Sequence, residues 1–183
     1  MISGGGPAIA DPVDPNIKML EGEAMPYIEA DSLEEANLFF DQVEAAKSDG
    51  DSAELASLAR GPKYAPCEIK PEGMHLRSSG AFKIVGFKVL TECTVPVRSI
   101  EHRASLRQYH LGVYRTVPNQ GPVSKSRGGV KLYTKSIFHR CDKTSPSREW
   151  GGAVTGVVNW GGKEYYSRAY PKRSTSKIAC YVP

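Results

Sequence analysis

The sequence predicts a mainly β protein, an antiparallel sandwich or barrel, with a helical hairpin extension at its N-terminus. Three observations carry that expectation. The apolar period changes from about 3.6 to about 2 between residues 61 and 80. About six short runs of strand composition then follow, separated by polar or glycine-rich turns. The charge divides at the same place: residues 1–60 hold 13 acids and 3 bases, a net −10, whereas residues 61–183 hold 7 acids and 21 bases, a net +14. So large a split in a chain of net charge +4 points to two differently behaving segments.

Residues 1–30 contain the run Gly4–Gly6, several prolines and no sustained apolar period, and they read as a disordered lead. An acidic helical segment over 31–61 comes next. Ser32-Leu33-Glu34-Glu35 is a capping box, in which the serine hydroxyl accepts from a free N–H and the glutamate reaches back. Ala36, Phe39, Phe40, Val43 and Ala46 then form one helical stripe. Asp51-Ser52-Ala53-Glu54 opens a shorter helix with Leu55 and Leu58 facing inward, closed by Gly61 and Pro62. Residues 62–183 form the basic β domain. Val85, Phe87, Val89, Thr91, Cys93 and Val95 share one parity, as a half-buried strand requires. Further strands are expected near 104–116, 129–139, 150–159, 163–170 and 176–182. Asn159-Trp160-Gly161-Gly162 supplies a tight turn between two of them. The segments 118–122 and 144–148, and the pair after Arg127, read as loops.

Cys67, Cys93, Cys141 and Cys180 are widely spaced, with no close pair of the kind that holds zinc. An even count at such spacing favours two disulfides and an oxidising compartment. Of three possible connectivities, Cys93–Cys141 with Cys67–Cys180 is preferred, the second fastening the entry segment to the last strand. Ala8-Ile9-Ala10 has the small-x-small form of a signal-peptidase site, and the expectation is an extracellular protein whose export signal lies upstream of Met1. The alternative is a cytoplasmic protein with free thiols. No run approaches the roughly 18 apolar residues of a membrane helix.

The run Val89-Leu90-Thr91-Glu92-Cys93-Thr94-Val95-Pro96, the strand ending Gly112-Val113-Tyr114-Arg115, Cys141, the segment Trp150–Gly156 and the closing Ile178-Ala179-Cys180 resemble a loose class of small secreted actinobacterial proteins with Ig-like sandwich domains. The resemblance spans roughly residues 80–183. It implies an exported, disulfide-bonded, Ig-like domain and carries no catalytic residues.

No nucleophile elbow, metalloprotease helix, phosphate-binding loop or dinucleotide fingerprint is present, and no metal or cofactor is expected. His102, His110 and His139 are the only candidates for acid–base chemistry on a phosphate. Trp160, Tyr165, Tyr166, Arg168, Tyr170, Lys172 and Arg173 interleave cations with rings, a mixture that stacks bases or sugars and contacts phosphates. Together these readings favour an exported, non-enzymatic binding protein whose partner is another protein or an anionic polymer. The acidic segment 31–61 is expected to dock on the basic domain through Phe39, Phe40 and complementary charge. Two alternatives remain: a small secreted enzyme or toxin acting on nucleic acid through those histidines, and a cytosolic nucleic-acid-binding protein using the Tyr165–Arg173 edge.

Overall fold

The structure is a computed structural model and describes residues 21–79, 82–110, 113–118, 123–141, 147–174 and 177–178. It is mainly β. Five antiparallel strands close into a barrel, with further strands added to its longest member.

The first barrel strand is β1, Met25–Glu29. Residues 25–29 are therefore not part of a disordered lead, and residues 1–20 lie outside the described residues. A five-residue strand with Pro26 in it sends a weak local signal, and only pairing on both sides makes it a strand. Helix α1 follows, Leu33–Asp49. Ser32 Oγ accepts from the Glu35 N–H at 3.1 Å, and Glu35 accepts from the Asp31 N–H at 2.7 Å, so the box closes one residue further back than its usual form. Gly50, at φ 70°, ends α1 in the left-handed region, and the Asp51 N–H bonds the Ala46 carbonyl at 3.0 Å. Helix α2, Ser52–Leu58, is capped by Asp51.

Then come β2 Tyr64–Pro71, β3 His75–Ser79, β4 Phe82–His110, β5 Val113–Val117, β6 Val123–Arg140, β7 Trp150–Trp160 and β8 Lys163–Ala169. The barrel order is β2-β1-β8-β7-β4, and β4 returns to β2 to close it. β4 makes closure possible by bending. Its first half pairs with β2, Cys67↔Cys93 through Pro71↔Val89. Its second half pairs with β7, Ser99↔Asn159 through Gln108↔Trp150. Between them, Glu92 faces Lys131 and Val97 faces Gly129 on β6, so β4 takes five steps where β6 takes two. Pro96 has no N–H to give the ladder, and Gly128 and Gly129, at φ 80° and 106°, absorb the irregularity on β6. The Arg127-Gly128-Gly129 stretch is thus a bend inside a strand and not a loop.

The bend also resets which side faces in. Val85, Phe87, Val89 and Thr91 are buried before it, and Ile100, His102, Ala104 and Leu106 after it. Val95, expected inside from parity, is exposed. The expected strand at 104–116 is the end of β4 and the whole of β5, paired back on each other through His110↔Val113. At the far end, Trp160↔Lys163 closes a two-residue hairpin on Gly161 and Gly162, both at positive φ, as the turn chemistry requires. The expected last strand over 176–182 and the loop readings at 119–122 and 144–146 fall largely outside the described residues.

The barrel is filled by Tyr27, Ile69, Phe87, Val89, Ile100, Leu106, Val154 and Val158. Glycine on β7 makes the room: a Cβ on Gly156 would stand 2.1 Å from the Tyr27 hydroxyl, and one on Gly152 2.6 Å from the Phe87 ring. One disulfide joins Cys67 to Cys93, directly opposed residues of β2 and β4. The preferred pairing of Cys93 with Cys141 and of Cys67 with Cys180 is therefore wrong, because β2 was not visible as a strand and its register decides the pairing. No described cysteine is a free thiol, Cys141 included, and Cys180 lies outside the described residues. Among the described residues, no helix is long and apolar enough to cross a membrane.

Candidate functional site

Most of the aromatic and basic edge expected to bind a partner is covered, part of it by the barrel core and part by α1. Tyr165, Tyr166 and Tyr170 are buried. Trp160 is half-buried and packs on Tyr165 with ring centroids 5.8 Å apart. Arg173 donates to Glu21 at 2.6 Å, and Lys172 alone of the set is well exposed. Part of the reason lies in α1. Ala36 and Phe40 pack with Ile28 and Tyr166, and the Arg168 guanidinium lies 5.4 Å over the Phe40 ring. Arg168 also bonds Asp41 at 2.6 Å and Glu44 at 2.7 Å, and the Tyr170 hydroxyl donates to Glu44 at 3.1 Å. Rings and cations that look available in the sequence are used against an acidic helix more than 120 positions earlier.

Charge in this contact is unevenly settled. Burial opposes the Arg168 charge, but Tyr170, Glu44 and Asp41 outweigh it and hold the guanidinium above its usual range. Burial pushes the Glu44 carboxyl up, and the pull of Arg168 does not bring it back. Burial likewise raises Tyr170, and it pushes Tyr166 up to about 12 with help from Glu164.

The histidines divide. His102 is 1% exposed, inside the barrel. Its Nε2 meets Thr91 Oγ1 at 2.7 Å and its Nδ1 meets Thr134 Oγ1 at 2.8 Å; Thr91 in turn bonds the Tyr27 hydroxyl at 2.6 Å. Two hydroxyls satisfy both nitrogens of a neutral ring, since each can donate or accept. Burial pulls the His102 pKa down to about 4. A ring so enclosed has no face to offer a substrate. His139 bonds the Pro118 carbonyl at 2.8 Å and packs on Trp150 at 5.5 Å. The His110 side chain lies outside the described residues. His102 and His139 have separate partners, and among the described residues no three His, Cys, Asp or Glu gather as a metal site would need.

A different set of residues does gather. On the outer wall of the barrel, a cavity of about 470 Å³ is lined by Arg103, Arg107 and Arg168, with Ser105, Thr155, Ala153 and Tyr170 among them and Asn37 of α1 at its border. Strand register builds it. Arg103, Ser105 and Arg107 alternate with the inward His102, Ala104 and Leu106, so they point outward. Arg103 faces Thr155 on β7, and Thr155 faces Arg168 on β8. Ser105 faces Ala153, and Arg107 faces Gly151. The β7 residues opposite this stretch of β4, Gly151, Ala153 and Thr155, are small, and the three arginines line the cavity beside them. Arg103 also donates to Glu101 at 2.6 Å, which holds the guanidinium more firmly charged. Partial burial pushes the Glu101 carboxyl up, yet Arg103 and Lys125 together outweigh it and hold it below its usual value.

Arginine in such a cavity is suited to anions, because its planar fork meets oxyanions with two parallel hydrogen bonds. The signal was present in the sequence as Arg103-Ala104-Ser105-Leu106-Arg107 at alternate positions and as the small residues of 151–156. Only the register joins the two segments. Comparison of the chain with protein-family models and with curated proteins returns no match.

Proposed function

We propose that this chain is an exported, disulfide-stapled binding protein without catalytic activity, and that it recognises an anionic group on its partner through the Arg103–Arg107–Arg168 groove. The observation that carries the reading is that groove: three arginines lining one cavity with Ser105, Ala153 and Thr155, and Val123 beside them, on the wall of the barrel. The Cys67–Cys93 disulfide supports a protein that works in an oxidising compartment. An Ig-like relationship remains part of the proposal for the strands of residues 80–183.

The test is a titration of the full chain with a heparin oligosaccharide at several salt concentrations, against the double variant Arg103→Gln/Arg107→Gln. Binding that weakens with salt and falls about tenfold or more in the variant supports the reading, since each guanidinium–oxyanion hydrogen bond removed is worth on the order of 1 kcal/mol. Equal binding by the two proteins, or none by either, sinks it.

A further inference from the structure

Resting on that anion-binding reading, we infer that the group taken by the groove is a tetrahedral oxyanion ester, phosphate or sulfate, and that it displaces Asp41 from Arg168. Arg103, Thr155 and Arg168 lie in one row across β4, β7 and β8. Neighbouring strands are about 4.8 Å apart, so the two arginine backbones stand about 10 Å apart with a hydroxyl between them. Arg107 extends the same face along β4.

The groove already has carboxylates of its own. Asp41 and Glu44 hold Arg168, and Glu101 holds Arg103. A free carboxylate offers the same two coplanar oxygens as Asp41. Asp41 is tethered, at an effective concentration in the millimolar range or above, so a free carboxylate competes poorly. A phosphate or sulfate ester offers three terminal oxygens in a tetrahedral array. That suffices to bridge Arg103 and Arg168 and to accept from the Thr155 hydroxyl at once, which a planar carboxylate does not do.

Exposure selects which internal carboxylate yields. The Asp41 side chain is 63% exposed and the Glu44 side chain 6%. Asp41 can turn into water at little cost, because an exposed ion pair is worth little. Glu44 stays with Arg168 and Tyr170. The cavity opens to solvent, so the ester is the end or side group of a larger molecule.

The test is calorimetric titration of the full chain, at fixed ionic strength, with phenyl phosphate, phenyl sulfate and benzoate, which share a ring and differ in the anion. At least one ester is expected to bind about tenfold or more tightly than benzoate, and Asp41→Asn to tighten that ester about threefold or more. Thr155→Val should weaken the ester and leave benzoate unchanged. Whichever ester binds more tightly identifies the source as phosphate or sulfate and leaves the inference standing. Benzoate binding as well as both esters overturns the ligand class while the anion groove survives. An ester affinity unmoved by Asp41→Asn overturns the displacement. Failure of all three probes to bind either the wild-type chain or the Asp41→Asn variant overturns the groove reading itself. Both substitutions lie at exposed or half-buried positions, and a thermal melt of each variant verifies the fold.

Discussion

Acidification from pH 7 to pH 4 should weaken the barrel in a window set by one buried side chain. His102 sits in the core with its nitrogens held by Thr91 and Thr134, and burial lowers its pKa from an ordinary 6.5 to about 4. In the unfolded chain the ring regains its ordinary value and binds a proton more readily. The unfolded state therefore holds more protons between pH 6.5 and pH 4, and stability falls as pH falls through that window. Above pH 6.5 the contribution is fully present. With each pKa unit equivalent to 1.36 kcal/mol, the loss reaches about 2 kcal/mol at pH 5 and about 3 kcal/mol at pH 4. That is a large share of a total stability that, for domains in general, is about 5–15 kcal/mol. The assay is urea unfolding at pH 7, 6, 5 and 4 with the disulfides intact, followed by the fluorescence of the buried Trp150. The carboxyls of Glu29, Glu72, Glu92 and Glu101, all held low by cationic or hydroxyl partners, add to the loss in the lower part of this window, since their ordinary value is 4.5, so the upper part, from pH 6.5 to about 5.5, isolates His102. His102→Gln keeps a donor and an acceptor in place and cannot titrate. Its stability should be lower at pH 7 and nearly flat between pH 6.5 and about pH 5.5. A wild-type protein with no slope there, or a variant with the same slope, would refute the reasoning. If the variant does not fold, the NMR shift of the His102 ring in the wild-type protein decides: a midpoint near 6.5 is the refuting result.

Three further outcomes follow from the packing. Loss of the Cys67–Cys93 bridge, by Cys67→Ser/Cys93→Ser, should cost about 3.5 kcal/mol from loop closure over a separation of 26 residues, read as a shift in urea midpoint. Arg168→Ala leaves Glu44 buried without its cation and should cost about 3 kcal/mol; adding Glu44→Gln should recover part of that, and a double-mutant cycle with no coupling would count against the pair. Gly156→Ala puts a methyl 2.1 Å from the Tyr27 hydroxyl and should cost about 2 kcal/mol, with Tyr27→Phe in the same chain relieving some of it.

Local signals in the sequence carry through to the structure. The serine cap of α1, the parity of residues 85–91 and the Gly161-Gly162 hairpin each rest on side chains within a few positions of one another, and all appear as expected. Local signals are silent where a residue's fate depends on a distant strand. β1 and β2 carry prolines and short, broken alternation; they are strands because β8 and β4 offer them partners. The disulfide followed β2 and was mispaired with it. Within the Tyr165–Arg173 edge, nothing local tells Tyr166 that a helix covers it, while Arg168 and Tyr170 also line the arginine groove. The arginine groove stayed hidden for the same reason, since its residues come from three strands that become neighbours only in the closed sheet.

The charge split can now be followed to its partners. Acid from the first third reaches base in the remainder at Glu21–Arg173, Glu29–Lys163, Asp41–Arg168 and Glu44–Arg168. These ion pairs fasten residue 21, the end of β1 and one face of α1 to β8 and the segment after it. They consume cations near the barrel seam and leave those of β4 and β6 to other acids or to solvent. Arg103 and Lys125 share one carboxylate, Glu101. The Arg168 side is saturated by α1. On the proposed reading, an anion therefore reaches the Arg168 flank only when Asp41 moves. An oxyanion that first meets Arg103 and then draws Arg168 away from Asp41 binds in two steps, and its affinity depends on the acidic helix as well as on the basic wall it faces.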